Sequence, residues 1–218
     1  MSKPIIFGAI ALLLLGGLLI WRINQRTSSS ELVFETKATP PQSTPICPWR
    51  EPEADLKQLF PTATRYIPET RILSGLRLEL ADRLGRAPTA DENALRLYRI
   101  YRQEQPLGDV LTRRVKGAHG AIELVLATDL EERVCGLHLQ RLREPEAVAR
   151  ALKDPAWLGA FTGKQADSAW RMGTDLPAIP PEARDSAQAI VEGARSLLIL
   201  LAVSSHSNAP APAAVAHH

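Results

Sequence analysis

Cysteine is nearly absent from this 218-residue chain, which has only Cys47 and Cys135. They form no CxxC or CxxCH pattern and no Cys/His cluster at ligand spacing, which argues against a zinc, iron–sulfur or c-type haem site. Two readings stay open for them: a disulfide if the domain faces an oxidising compartment, or two small buried residues. An excess of charge of one sign is also missing. The net charge is +2, with Lys and Arg interleaved among Asp and Glu, so no basic surface for nucleic acid is expected. No nucleophile–base pair, carboxylate pair or glycine-rich phosphate loop raises an enzyme above background. What remains is an ordinary core-forming composition, 45% hydrophobic and 23% charged. At this length it implies one domain with appendages.

The appendages are legible. Every residue from Ile5 to Trp21 is apolar or glycine. At 1.5 Å per residue this run covers about 26 Å, within reach of a thin hydrocarbon core with Trp21 at its interface. It is longer than the usual h-region of a signal peptide. It ends in Trp21-Arg22-Ile23-Asn24, where a cleavage site would need small residues. Residues 1–23 are therefore expected to be a retained transmembrane helix in the lipid bilayer. Lys3 on one side, with Arg22, Arg26 and Lys37 on the other, gives no firm orientation. Residues 24–48 turn from polar to proline-rich and read as a tether. Residues 204–218 form an Ala/Pro/Ser tail that cannot build a core.

The domain proper is expected over residues 49–203. Asp55-Leu56-Lys57-Gln58-Leu59-Phe60 reads as a short helix stopped by Pro61, and Ser74 as the cap of a further helix that ends at Gly85. Four strand-like runs follow: 95–101, 110–115, 121–127 and 134–142. Turn signals separate them at 105–108, 117–120 and 129–132, too short for βαβ crossovers. Broken alternation in the fourth run predicts a bulge near Gly136. A helix from Glu144 to Leu152, a Gly/Trp-containing loop and a last helix after Pro180-Pro181 complete the pattern. The last helix should bury Ile190, Ala194, Leu197, Leu198 and Leu201. The expected fold is α+β, an antiparallel sheet of about four strands with flanking helices, preceded by the transmembrane helix. The apolar run 197–203 is too short for a membrane element and reads as a helix end buried against the sheet.

The order of these pieces resembles the FMN-binding domain of the flavin-bearing subunits of the Rnf complex and the sodium-pumping NADH:quinone reductase. The resemblance rests on Leu107-Gly108, on 115–125 with its Gly117-Ala118-His119-Gly120 turn, on Thr128-Asp129 and on Val134-Cys135-Gly136-Leu137. It continues through Glu144-Pro145, Trp157, Phe161-Thr162-Gly163 and Ala189-Ile190-Val191-Glu192-Gly193. It covers about half the chain, and no single piece is diagnostic. It implies a single-pass inner-membrane protein with a periplasmic domain and an electron-transfer setting. In covalently flavinylated members a Ser-Gly-Ala-Thr motif before the last helix carries FMN as a phosphoester on the threonine. Here that motif falls on Pro181-Glu182-Ala183-Arg184, so the acceptor is Arg184, which has no hydroxyl.

The candidate cofactor-binding residues are therefore Arg184 and Ser186 at the start of the last helix, with His119 and Gly120 in the turn. Arg184 and Ser186 point to non-covalent FMN through a phosphate at the helix N-terminus, and the resemblance implies a contact of His119 with the edge of the flavin ring. Against this, Glu182 and Asp185 repel phosphate from the same first turn, and Arg184 then only balances them. His138 is expected to pack, Trp157 and Trp170 to close the core, and Glu144 to cap its helix. The expectation is an accessory or assembly subunit of a membrane redox complex, without flavin, metal or catalytic residues. Two alternatives stand beside it: an electron-transfer protein holding FMN non-covalently, and a periplasmic binding module for another anionic ligand.

Overall fold

The computed structural model describes residues 52–207. The anchor at 1–23, the tether, Cys47 with its pairing, and residues 208–218 lie outside the described residues. The elements in chain order are α1 (Glu53–Leu59), β1 (Arg65–Ile72), α2 (Arg77–Leu84), β2 (Ala94–Arg102), β3 (Gln105–Lys116), β4 (Ala121–Thr128) and β5 (Val134–Leu142). Then follow α3 (Glu146–Leu152), α4 (Pro155–Gly159) and α5 (Arg184–Ser207). The five strands form one antiparallel sheet in sequence order. This is the expected α+β architecture with one strand more than the four anticipated. The extra strand, β1, lies at the sheet edge and pairs only with β2, from Arg65↔Tyr101 to Ile72↔Ala94.

Period-2 alternation sorts the sheet into two faces. Leu95, Leu97, Leu111, Ile122, Leu124, Leu126 and Leu137 point to one face, where they pack with Ile190, Ala194, Leu197 and Leu201 of α5 and Leu80 and Leu84 of α2. Each fully buried leucine there contributes about 1.5–3 kcal/mol. Tyr98, Ile100, Val110, Val125 and Ala127 point to the other face and pack with Leu56 and Leu59 of α1. Among the described residues one helical stretch, Pro181–His206, is long and apolar enough to cross a membrane. Most of it is buried within the domain (78% of its apolar window), as in a core helix.

Several local expectations shift. No Ser74 side chain caps α2; a 3-10 turn, Ser74–Leu76, leads into it. Its expected stop holds, with Gly85 left-handed at φ 73°. The β2–β3 turn sits at Gln103 and Glu104, because Arg102 already pairs with Gln105, and Gln103 takes the positive φ of 57°. Pro106 therefore lies within β3, and Leu107 is an extra residue between Pro106 and Gly108. Beside Gly136 the expected bulge falls on Cys135, between the pairs Thr128↔Val134 and Ala127↔Gly136. Cys135 is exposed. The helix expected from Glu144 starts at Glu146. α5 runs four residues past Val203, and Ser204 is buried, accepting a bond from Arg71 Nη1 at 2.8 Å.

Register positions the site. β3 ends at Lys116, β4 starts at Ala121, and the 117–120 turn joins them at one end of the sheet. β5 ends beside the start of β4 through Ile122↔Leu142, which brings Arg143 and Glu144 alongside the turn. α5 crosses β3 and β4 at Gly193, where a Cβ would lie 2.6 Å from Val115 Cγ1 and 2.9 Å from Leu124 Cδ1.

Candidate functional site

The 117–120 turn closes on itself, the Gly117 amide donating to the Gly120 carbonyl at 2.8 Å. Both glycines are required by close neighbours. A Cβ on Gly117 would collide with the Glu144 carboxylate and lie 2.7 Å from Ile122 Cδ1. One on Gly120 would lie 2.8 Å from Arg143 Cβ and 3.1 Å from its carbonyl oxygen. The turn is thus pressed against the residues that follow β5.

A polar network then ties it to α5. The Ala118 amide donates to Ser186 Oγ at 2.8 Å, and Ser186 Oγ–H donates to Glu144 Oε1 at 2.8 Å. The His119 amide donates to the same Oε1 at 3.3 Å, and His119 Nδ1 lies 2.7 Å from Oε2. Since a carboxylate only accepts, Nδ1 carries the proton. The Glu144 side chain has no exposed surface, while the His119 side chain is 54% exposed. Burial opposes ionisation of Glu144, but the bonds from Ser186 and His119 outweigh it and hold the carboxyl below its ordinary range.

Of the four candidate residues, the structure brings His119, Gly120 and Ser186 to one place and leaves Arg184 outside it. Arg184 is exposed at the first position of α5. Among the described residues no ion pair joins it to Glu182 or Asp185. Glu144 is the member that sequence reasoning misassigned. It does not cap α3, whose N-cap is Pro145 without a side-chain bond. Its partners lie 25 and 42 residues away, and no local pattern encodes them.

Chemically, an imidazole oriented by a buried carboxylate can take or give a proton at Nε2. The Ser186 hydroxyl beside it is fully buried, with its hydrogen and an acceptor site both used. No group of three or more His, Cys, Asp or Glu able to hold a metal occurs among the described residues.

The other singled-out residues have packing roles. His138 Nδ1 lies 3.2 Å from Asp55 Oδ1, linking β5 to α1. Trp157 meets Phe161 edge-on at 5.1 Å between centroids, and Phe161 lies 6.0 Å from Trp170; all three are buried in the core. No family model and no curated protein matches this chain.

Proposed function

We propose that this protein is a membrane-tethered relative, in architecture, of the FMN-binding domain, and that it serves as an accessory or assembly subunit of a membrane redox complex without covalent flavin. In this reading the anchor at 1–23 is a single inner-membrane span and the domain is periplasmic. The turn and the start of α5, the two segments that the resemblance would place near a flavin, lie in contact through Ala118 and Ser186. That contact supports the kinship in architecture.

The observation that carries the absence of flavin is Glu144. The amides of Ala118 and His119 in the turn are taken by Ser186 Oγ and by the Glu144 carboxylate. A second anion there would meet a buried negative charge and few free donors. The acceptor position is Arg184, which cannot form a phosphoester, and Ser186 is sequestered. Protein co-expressed with a flavin transferase, denatured and run on a gel, is expected to show no in-gel flavin fluorescence. A fluorescent band that survives denaturation would refute the reading. An absorption spectrum of the native protein addresses non-covalent FMN, the reading favoured by the exposed guanidinium of Arg184. A flavin band near stoichiometric strength would establish that alternative.

A further inference from the structure

We propose that the open half of the sheet face that carries α1 docks on an anionic phospholipid bilayer, its cations on lipid phosphates and Ile72 in the interface. Alternation along the strands builds this face. Leu95 and Leu97 point toward α5, so Arg96 between them points the other way. Arg113 and Val115 meet Ser196 and Gly193 of α5, so Arg114 and Lys116 also point away from it. Register adds two more residues, since Arg114 pairs with Glu123 and Glu123 with Arg141. Charges that are interleaved along the sequence are thereby sorted, and these cations gather on one side.

α1 covers only the half of this face formed by Tyr98, Ile100, Val110, Val125 and Ala127. On the other half Arg96, Arg114 and Lys116 are exposed and Arg141 is half-buried. The acid among them, Glu123, is 1% exposed and lies under two of the arginines, 2.6 Å from Arg114 Nη2 and 3.8 Å from Arg141 Nη1. Asp55 of α1, at the border, is engaged by His138 and Gln140. Arg96 and Lys116 have no ion pair among the described residues. The surface turned outward is therefore positive.

Ile72 narrows the choice of anion. It ends β1 on the same face, two residues beyond Thr70, the partner of Arg96, and is 71% exposed. An apolar side chain at the rim of a cationic patch complements a bilayer surface, where phosphates lie above acyl chains. A nucleic-acid backbone would serve the cations equally well and offer the isoleucine nothing. The chain also enters the domain on this side. α1 has Asp55 near its start bonded to Gln140, beside Arg141, and Leu59 at its end against Gly136, so its N-terminus points toward the cationic half. The docking does not require that residues 1–23 span the membrane; an anchor would raise the concentration of the face at the bilayer.

The test uses the full chain, ¹³C-labelled at the isoleucine δ-methyls, in nanodiscs that carry a gadolinium-chelate lipid. Neutral discs are phosphatidylcholine, and anionic discs contain about one-third phosphatidylglycerol. Ile72→Val and Ile67→Val assign the two exposed methyls of β1. In anionic discs the Ile72 methyl is expected to broaden about threefold or more beyond that of Ile67, which lies on the opposite face of the strand. In neutral discs the two should broaden alike. Salt at about 0.5 M should abolish the difference by screening. Arg96→Glu combined with Lys116→Glu should do the same, each lost cation weakening docking about fivefold. Equal broadening in anionic discs, or a difference that persists in neutral discs or at high salt, would overturn the proposal. An Ile72 methyl that ignores anionic discs and shifts with a single-stranded oligonucleotide would assign the face to nucleic acid and overturn it as well. A chain held by neither disc would overturn the docking and the anchor together. One held only by anionic discs, with Ile72 broadened, would sink the anchor and support the docking. The salt arm decides even where the double variant fails to fold.

Discussion

Replacing Glu144 with alanine would leave the Ser186 hydroxyl, the His119 ring N–H and the His119 amide without their shared acceptor. His119 is half exposed and can turn to water, but Ser186 is buried. The expected loss is about 2 kcal/mol, read by denaturant unfolding at pH 7. Glu144→Gln keeps one oxygen for Ser186 and should lose about 1 kcal/mol. The pH dependence follows from the depressed carboxyl. Its contribution is complete above the unfolded-state value of about 4.3 and fades as pH falls through the lower folded-state value. The stability gap between wild type and Glu144→Gln should therefore narrow below about pH 4. A gap that stays constant or widens on acidification would contradict this account. At this scale the sequence was informative only in part. His119, Gly120 and Ser186 were singled out through a resemblance to the FMN-binding domain, whereas the role of Glu144 depends on the β4–β5 register, which no spacing within the 144 region records.

Among elements, β2 to β5 and α5 were readable because their apolar periodicity matches a buried face, and β1 was not. Its sequence Arg65-Tyr-Ile-Pro-Glu-Thr-Arg-Ile72 contains a proline and three charged residues. Those are features of an edge strand, where a missing N–H is tolerated and polar side chains discourage further pairing. α5 is held to the sheet by more than apolar contact. Glu92, with no exposed surface, receives two bonds from Arg86, one from Arg113 at 3.0 Å and one from Ser196 Oγ at 2.6 Å. It also accepts the Thr89 amide, forming a capping box whose Thr-x-x-Glu signature is visible in the sequence. Burial works against this carboxylate, but the bonds from Arg86, Ser196 and Thr89 and the charge of Arg113 hold it far below its usual range. Glu92→Ala would strand the mostly buried Arg113 and the Ser196 hydroxyl, at an expected cost of about 3–5 kcal/mol in thermal unfolding. Gly193→Ala tests the approach of α5 to β3. Alanine improves helix propensity by about 1 kcal/mol, but its methyl must displace Val115, a stiff β-branched neighbour, and Leu124. We expect net destabilisation by about 1–2 kcal/mol, by the overpacking that inserted methyl groups cause in a filled core. A melting temperature equal to or above wild type would show that the helix–sheet gap is loose.

For the whole molecule, the proposed role requires the domain to lie outside the cytoplasm and to act through its surface. Alkaline phosphatase fused after Ser207 should be active. A junction at Val203 would be a poor choice, because Ser204 is buried and bonded to Arg71 within α5. An inactive phosphatase, with an active cytoplasmic reporter at the same junction, would reverse the topology. Function by association makes a further demand. Arg184→Ala should leave the host complex's turnover nearly unchanged, since the guanidinium is exposed and outside the Glu144 network. Arg184→Thr should not restore flavinylation, because Pro181 and Glu182 also depart from the acceptor motif and the neighbouring amides remain occupied. Deleting residues 1–23 should have the opposite weight. Tethering confines the domain to the membrane plane and raises its effective concentration near membrane-embedded partners, often by orders of magnitude over a free solute. A surface that binds only weakly in solution can hold its complex under those conditions and lose it once released. Pull-down through a C-terminal tag from membranes in mild detergent should therefore recover quinone- or cytochrome-linked subunits with the intact chain and not with the deletion. Recovery of the intact chain alone would count against an accessory subunit, because a partner that tethering keeps at high local concentration should survive gentle extraction.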